Sequence, residues 1–126
     1  MKKLFISCPM KDRTEAQIRA TMEQMHGIAE AVFQEELMTI ETYIPDAVPE
    51  NSNTALWCLG ESIKRMAEAD YFIGVYDEEK GFRGCGIESQ VAKSYNVPSF
   101  IVNLRYIAPD IMEAREKANR KYNSYY

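Results

Sequence analysis

The residue of this chain best suited to chemistry is Glu88, which follows Gly84 and Gly86 in the stretch GFRGCGIESQVAKSYNV, residues 81–97. Glycine lets a backbone come close to a ligand, and the start of a helix supplies unpaired N–H donors. Glu88 is expected in the first turn of the helix that opens here. A carboxylate there is stabilised by the helix dipole by roughly 0.3–1 kcal/mol, which is an ordinary structural reason for it. The other reading is chemical. A carboxylate kept ionised beside closely approached backbone can attack the anomeric carbon of a sugar and form a covalent intermediate, as in retaining glycosidases. Residue types and spacing alone leave both readings open.

The glycines are not a dinucleotide fingerprint, because GCGIES lacks the last glycine of G-x-G-x-x-G and does not follow the first strand. They are not a Walker A loop either, since no Gly-Lys-Ser/Thr occurs. Other groups with chemical potential are Ser7, Cys8, Pro9 and Met10, then Asp46 and Glu50, then Asp77, Glu78 and Glu79, then Asn103 and Arg105. Arg83 is the basic residue within the glycine stretch. Cys8 and Cys85 have no histidine nearby in sequence to act as a base. His26 has no His or Cys at ligand spacing and reads as structural, so no metal site is expected. Trp57, Tyr43 and Tyr76 can be packing residues or stacking platforms.

The elements that must position these groups follow from hydrophobic periodicity. KLFISC (3–8) reads as a first strand closed by Pro9. After Thr14, the residues Ile18, Met22, Met25, Ile28, Ala29, Val32 and Phe33 make one helical stripe. LMTIETYI (37–44) reads as a strand, and PDAVPENSN (45–53) as a loop. Leu56, Leu59, Ile63 and Met66 mark a helix over 54–69, and YFIGVY (71–76) a third strand. Ile87, Val91, Ala92 and Tyr95 mark the next helix, with Asn96 as its left-handed cap before Pro98. SFIVNL (99–104) is a fourth strand, Pro109 opens a last helix, and NSYY is a tail. Strands that are continuously apolar and alternate with helices predict a mostly parallel sheet of four to five strands covered on both faces. The expectation is one domain over residues 1–126, a small three-layer Rossmann-like (flavodoxin-like) α/β fold. In such sheets ligands bind beyond the carboxyl ends of the strands, which is where the groups above collect.

Composition narrows the functions. The 126 residues carry 15 basic and 19 acidic side chains, a net charge of −4, with no concentrated basic patch to grip nucleic acid. REKANRKY (115–122) mixes acid with base and reads as a solvated helix face. Three scattered cysteines give neither a disulfide framework nor a CxxC zinc spacing, and no apolar run approaches a membrane span. The expectation is a cytoplasmic protein with no nucleic-acid or membrane partner.

The segment ADYFIGVYDEEKGFRGCGIESQVAKSYNVPSFIV (69–102) resembles the strand–loop–helix core of the nucleoside 2-deoxyribosyltransferase superfamily, which includes nucleoside 5′-monophosphate N-glycosidases. The resemblance runs in order through most of residues 3–103, and its specific part is the G-x-G-x-E stretch. It implies that Glu88 is the nucleophile. It also implies that the LFISCPM segment, with Ser7, Cys8, Pro9 and Met10, contacts the sugar or its 5′ group. Three positions depart from the family pattern. Phe5 is nearest to a family tyrosine, Ser62 stands where the family has a base-handling aspartate, and Phe82 replaces a loop aspartate. The proton donor to the leaving base is therefore open, with Asp77, Glu79 and Glu61 as candidates. Arg83, with Ser7 or Ser62, could receive a 5′-phosphate, since arginine suits bidentate phosphate recognition. The resemblance implies no metal or organic cofactor, and a homodimer or higher homo-oligomer.

The expected function is cleavage or transfer at the N-glycosidic bond of a (deoxy)nucleoside or its 5′-monophosphate. The alternatives are a nucleotide-binding or sequestering module without turnover, and a purely structural interaction protein.

Overall fold

A computed structural model describes residues 1–42 and 48–123. Its elements are β1 (Lys2–Ile6), α1 (Glu15–Phe33), β2 (Leu37–Thr39), α2 (Thr54–Met66), β3 (Tyr71–Tyr76), α3 (Arg83–Ser94), β4 (Ser99–Asn103), a short 3₁₀ turn (Leu104–Tyr106) and α4 (Pro109–Asn123). The four strands form one parallel sheet in the order β2-β1-β3-β4. This is the small α/β, flavodoxin-like arrangement expected from the alternation of strands and helices.

Each side of the sheet has its own apolar cluster, because side chains alternate along a strand. Leu4, Ile6, Ile73 and Val75 face α1 residues Ile18, Met22, Met25 and Ala29, together with Ile111 of α4. Phe5 and Phe72 point the other way and pack with Met66 of α2 and Ala92 of α3. The two phenylalanine rings stack at 5.6 Å between centroids. Leu4, Phe5, Phe72 and Ile73 are all 0% exposed, so β1 and β3 are the fully buried centre.

The chain runs outward from β1 to β2 through α1, then returns past β1 to β3 through α2 on the opposite face. Right-handed crossovers require this change of face when the direction reverses. The crevice between β1 and β3 is thus the topological switch point, where this class of sheet opens to ligands.

Local signals set the element ends. Thr14 caps α1 through a complete capping box with Gln17, and Asn53 caps α2 by accepting from the Leu56 amide. Asn96, at φ 60°, closes α3 as expected.

Some expectations are corrected. β2 is only three residues long; Tyr43 and Asp46, expected in and after it, lie outside the described residues, as does the end of the tail. Val32 and Leu56 are exposed rather than on their helices' buried stripes, and Tyr95 is 79% exposed. Periodicity assigned these three because it cannot say how far a helix overhangs its sheet. Phe100 and Ile101 are also partly open, because among the described residues β4 is an edge strand, paired with β3.

Candidate active site at the β1–β3 crevice

β1 ends at Ile6, and the next residue already leaves the strand while its amide still donates to the Ile73 carbonyl of β3 at 2.9 Å. This anchors Ser7 at the switch point, 1% exposed, with its hydroxyl turned toward α3. Ser7 Oγ donates to Glu88 Oε1 at 2.8 Å. Ser62 of α2 and Cys85 of α3 adjoin this pair. Three segments far apart in sequence therefore converge on one carboxyl group.

Glu88 is 8% exposed. Burial disfavours its charged form and pushes its pKa up to about 7, against the opposing hydrogen bonds from Ser7 and Ser62. The neighbouring thiols are also affected. Burial raises Cys85 to about 12 and Cys8 to about 11, so both are protonated at neutral pH and neither is an activated nucleophile.

The glycine stretch behaves differently from its expected loop form. α3 begins at Arg83, so Gly84 and Gly86 lie within its opening turns and Glu88 sits in the second turn. Neither glycine has a positive φ, and nothing obstructs helix formation at an uncrowded N-terminus. Glu88 therefore falls past the first turn, where the helix dipole is most effective, and owes its position to the buried stripe it shares with Cys85 and Ala92. A side chain added at Gly84 or Gly86 would meet no atom of the described residues within 4 Å beyond its chain neighbours and its own turn of helix, so open space adjoins the start of the helix. The first intrahelical bond runs from the Gly86 amide to the Phe82 carbonyl, and Phe82 supplies no side-chain cap.

The remaining candidates separate. Pro9 is buried and Cys8 turns into the α1 side, where its thiol contacts the Ile18 carbonyl. Met10 packs half-buried against the same cluster. Arg83 is exposed at the start of α3. Asp77 requires correction as a proton donor. Its carboxylate accepts from both terminal nitrogens of Arg115 at 2.9 and 2.8 Å and from the amides of Glu79 and Gly81. Arg115 first, then these backbone N–H groups, hold its pKa below the usual carboxylate range, which disfavours the protonated form a donor needs.

Two residue sets were not legible in advance. Arg13 and Asp110 form a two-pronged ion pair beneath the β1 end, and Arg115 reaches the β3–α3 loop from α4. These contacts span 97 and 38 residues of sequence, and no local pattern announces them. Glu88 did carry a local signal, the spacing Cys85, Glu88, Ala92, which puts a carboxylate on a stripe that faces the sheet. Ser89, next to it, has a buried hydroxyl without a hydrogen-bond partner among the described residues. His26 is structural as expected, with Nε2 at 2.8 Å from the Leu37 carbonyl.

Two clefts open elsewhere on the molecule. One of about 370 Å³ is lined by Asp77, Glu79, Arg105 and Arg115, and one of about 620 Å³ by Ile63, Met66, Val91 and Tyr95. Neither includes Glu88. No group of His, Cys, Asp and Glu among the described residues could hold a metal ion, and no described helix is long and apolar enough to cross a membrane.

Fold and site together define a small parallel α/β domain with a buried carboxylate at its switch point. Comparison with known proteins adds no relative: no family model matches the chain, and neither the curated proteins nor the solved structures give a significant match.

Proposed function

We propose that the protein cleaves or transfers at the N-glycosidic bond of a (deoxy)nucleoside or nucleoside 5′-monophosphate, with Glu88 as nucleophile. The observation that carries this reading is the buried Glu88 carboxylate at the β1–β3 crevice, hydrogen-bonded by Ser7. The resemblance of residues 69–102 to the deoxyribosyltransferase superfamily supplies the substrate class.

In the proposed first step an oxygen of ionised Glu88 bonds to C1′ while the C1′–N bond breaks, and the electron pair leaves with the base. The base takes up a proton, for which water is the source, because Arg115 disfavours the protonated form of Asp77. In the second step water, or a second base, bonds to C1′ and releases Glu88, and water's spare proton passes to solvent. Ser7 holds one carboxylate oxygen, which leaves the other to attack. Burial makes the carboxylate less stable as a free anion, so forming a neutral ester relieves that cost. Oligomerisation, implied by the same resemblance, belongs to the same proposal.

A non-catalytic nucleotide-binding module is the second reading. The observation in its favour is the ion pair of Asp77 with Arg115, which disfavours the protonated form of one candidate for protonating the base.

The test is chromatographic detection of free base from a panel of nucleosides and 5′-monophosphates, with wild type and Glu88→Ala in parallel. Release by wild type alone supports the glycosidase reading. Thermal protection by a nucleotide without base release supports the binding module, and neither effect would leave both readings untenable.

A further inference from the structure

The Ser7–Glu88 contact joins the segment after β1 to the second turn of α3, the helix that the loop after β3 leads into. That segment and that loop are both tied to the same helix, α4. On the β1 side, Asp110 of α4 accepts from Arg13 Nε and Nη2, each at 2.9 Å. The Arg13 side chain is 2% exposed, and its remaining donors go to the Pro9 carbonyl at 2.8 Å and Thr21 Oγ1 at 2.7 Å. Pro9 lies two residues beyond Ser7, so Asp110 holds the end of β1 through the guanidinium.

On the β3 side, Arg115 of the same helix makes a two-pronged contact with Asp77 and a further one from Nε to Glu79 Oε2 at 2.7 Å. Asp77 in turn accepts from the Glu79 and Gly81 amides, which closes the loop on itself. The Arg115 guanidinium also lies 5.8 Å from the ring centroid of Phe82, the residue that precedes α3 and accepts its first helical bond. Fork-shaped arginine–carboxylate contacts fix orientation as well as distance, unlike single-point lysine pairs.

We propose that α4 is a brace for the crevice, with Asp110 and Arg115 as positioning residues that set the approach of Ser7 to Glu88 from its two sides. The inference rests on the reading of Ser7 and Glu88 as the working site, but its test does not need catalysis. If either arm is released, its loop relaxes, water reaches the crevice, and the burial that dominates the state of Glu88 is reduced. The groups facing Glu88 from the packed elements are Ser7, Cys8, Ser62 and Cys85, and burial is the largest influence on its state, with no charged side chain among the causes of its shift.

The experiment is a carboxyl NMR titration of Glu88 on the protein alone, in wild type, Asp110→Asn and Arg115→Gln, with Arg105→Gln as control. Arg105 lies at the same end of the sheet, is half-exposed and pairs with Glu78 at 3.5 Å. The expected result is a Glu88 midpoint that falls from about 7 toward the ordinary 4.5 in both α4 variants and stays in place in the control. Asp110→Glu and Arg115→Lys keep charge and bulk, serve if the neutral variants do not fold, and should give smaller shifts in the same direction. Hydrogen exchange on the wild type adds a readout that needs no variant: the Gly81 amide should be as protected as the Ser7 amide. Unmoved Glu88 midpoints in folded α4 variants, or rapid exchange at Gly81, would overturn the brace. Absence of base release in the nucleoside panel would overturn the proposed function and leave this result standing.

Discussion

Ser7 Oγ donates to Glu88 Oε1 across 2.8 Å, and this single contact links the end of β1 to the second turn of α3. The residues are 81 apart in the chain. Parallel pairing of β1 with β3 brings them together, and burial of both side chains makes the contact matter. In water such a bond contributes little, whereas against a buried carboxylate a charge-assisted bond is worth about 1.5–3 kcal/mol.

Glu88 should make stability depend on pH in an unusual direction. Its folded pKa, about 7, is above the ordinary 4.5, so the folded state binds a proton that the unfolded state has released. The contribution is fully present below about pH 4.5 and is lost as pH rises through 7. The loss amounts to about 3 kcal/mol by linkage. Glu88→Gln should flatten that stretch of the curve and be the more stable protein at pH 8. Denaturant titrations of both proteins between pH 4 and 8 check this; parallel curves would contradict the buried, perturbed carboxyl.

Ser7→Ala removes a bond that favours the ionised form, so the Glu88 midpoint should rise above about 7. If the ionised form is the nucleophile, the acidic limb of base release moves to higher pH by the same amount. Carboxyl titration and the pH profile of base release are independent readings of this one shift. A midpoint that falls would mean that the hydroxyl is not oriented as a donor.

Gly74 and Gly86 should respond oppositely to alanine. A Cβ at Gly74 would lie 2.7 Å from Phe72 Cε1 and 2.8 Å from Ser89 Oγ, and Phe72 is locked by its stack on Phe5. Gly74→Ala should therefore destabilise by about 1–3 kcal/mol through overpacking. At Gly86 nothing lies within 4 Å, so alanine should stabilise the helix by about 0.5–1 kcal/mol. Base release that falls in Gly86→Ala despite higher stability would mark this open face as the place where ligand meets backbone. Thermal unfolding and the release assay on the same samples decide it.

Asp110→Ala leaves the Arg13 guanidinium buried without its carboxylate. Breaking one side of such a buried pair typically costs about 3–5 kcal/mol, and this partly open pair should fall at the lower end. Arg120→Ala, in an exposed pair with Glu116 on the same helix, should change stability by less than about 0.5 kcal/mol. Equal effects in the two variants would show that burial of Arg13 does not set the difference.

Much of this protein was readable in its sequence, because the governing interactions are local or periodic. Continuous apolar runs at YFIGVY and KLFI specify buried parallel strands, and the spacing Ile18, Met22, Met25, Ala29 specifies which face of α1 turns inward. Thr14, Asn53 and Asn96 specify helix ends through contacts within a few residues. Glu88 stood out by its chemical type and its glycine neighbours. Tertiary structure alone decided the rest. The length of β2, the exposure of Phe100 and Ile101 and the overhang of Leu56 depend on which strand lies at an edge and where a helix passes the sheet. The state of each carboxylate also depends on contacts across the fold. Asp77 and Glu88 are alike as sequence, yet Arg115 holds the pKa of one below the usual carboxylate range while burial pushes that of the other up to about 7. Desolvation and ion pairing act through space, and a chain states its partners at distances of 38, 81 and 97 residues only once it has folded.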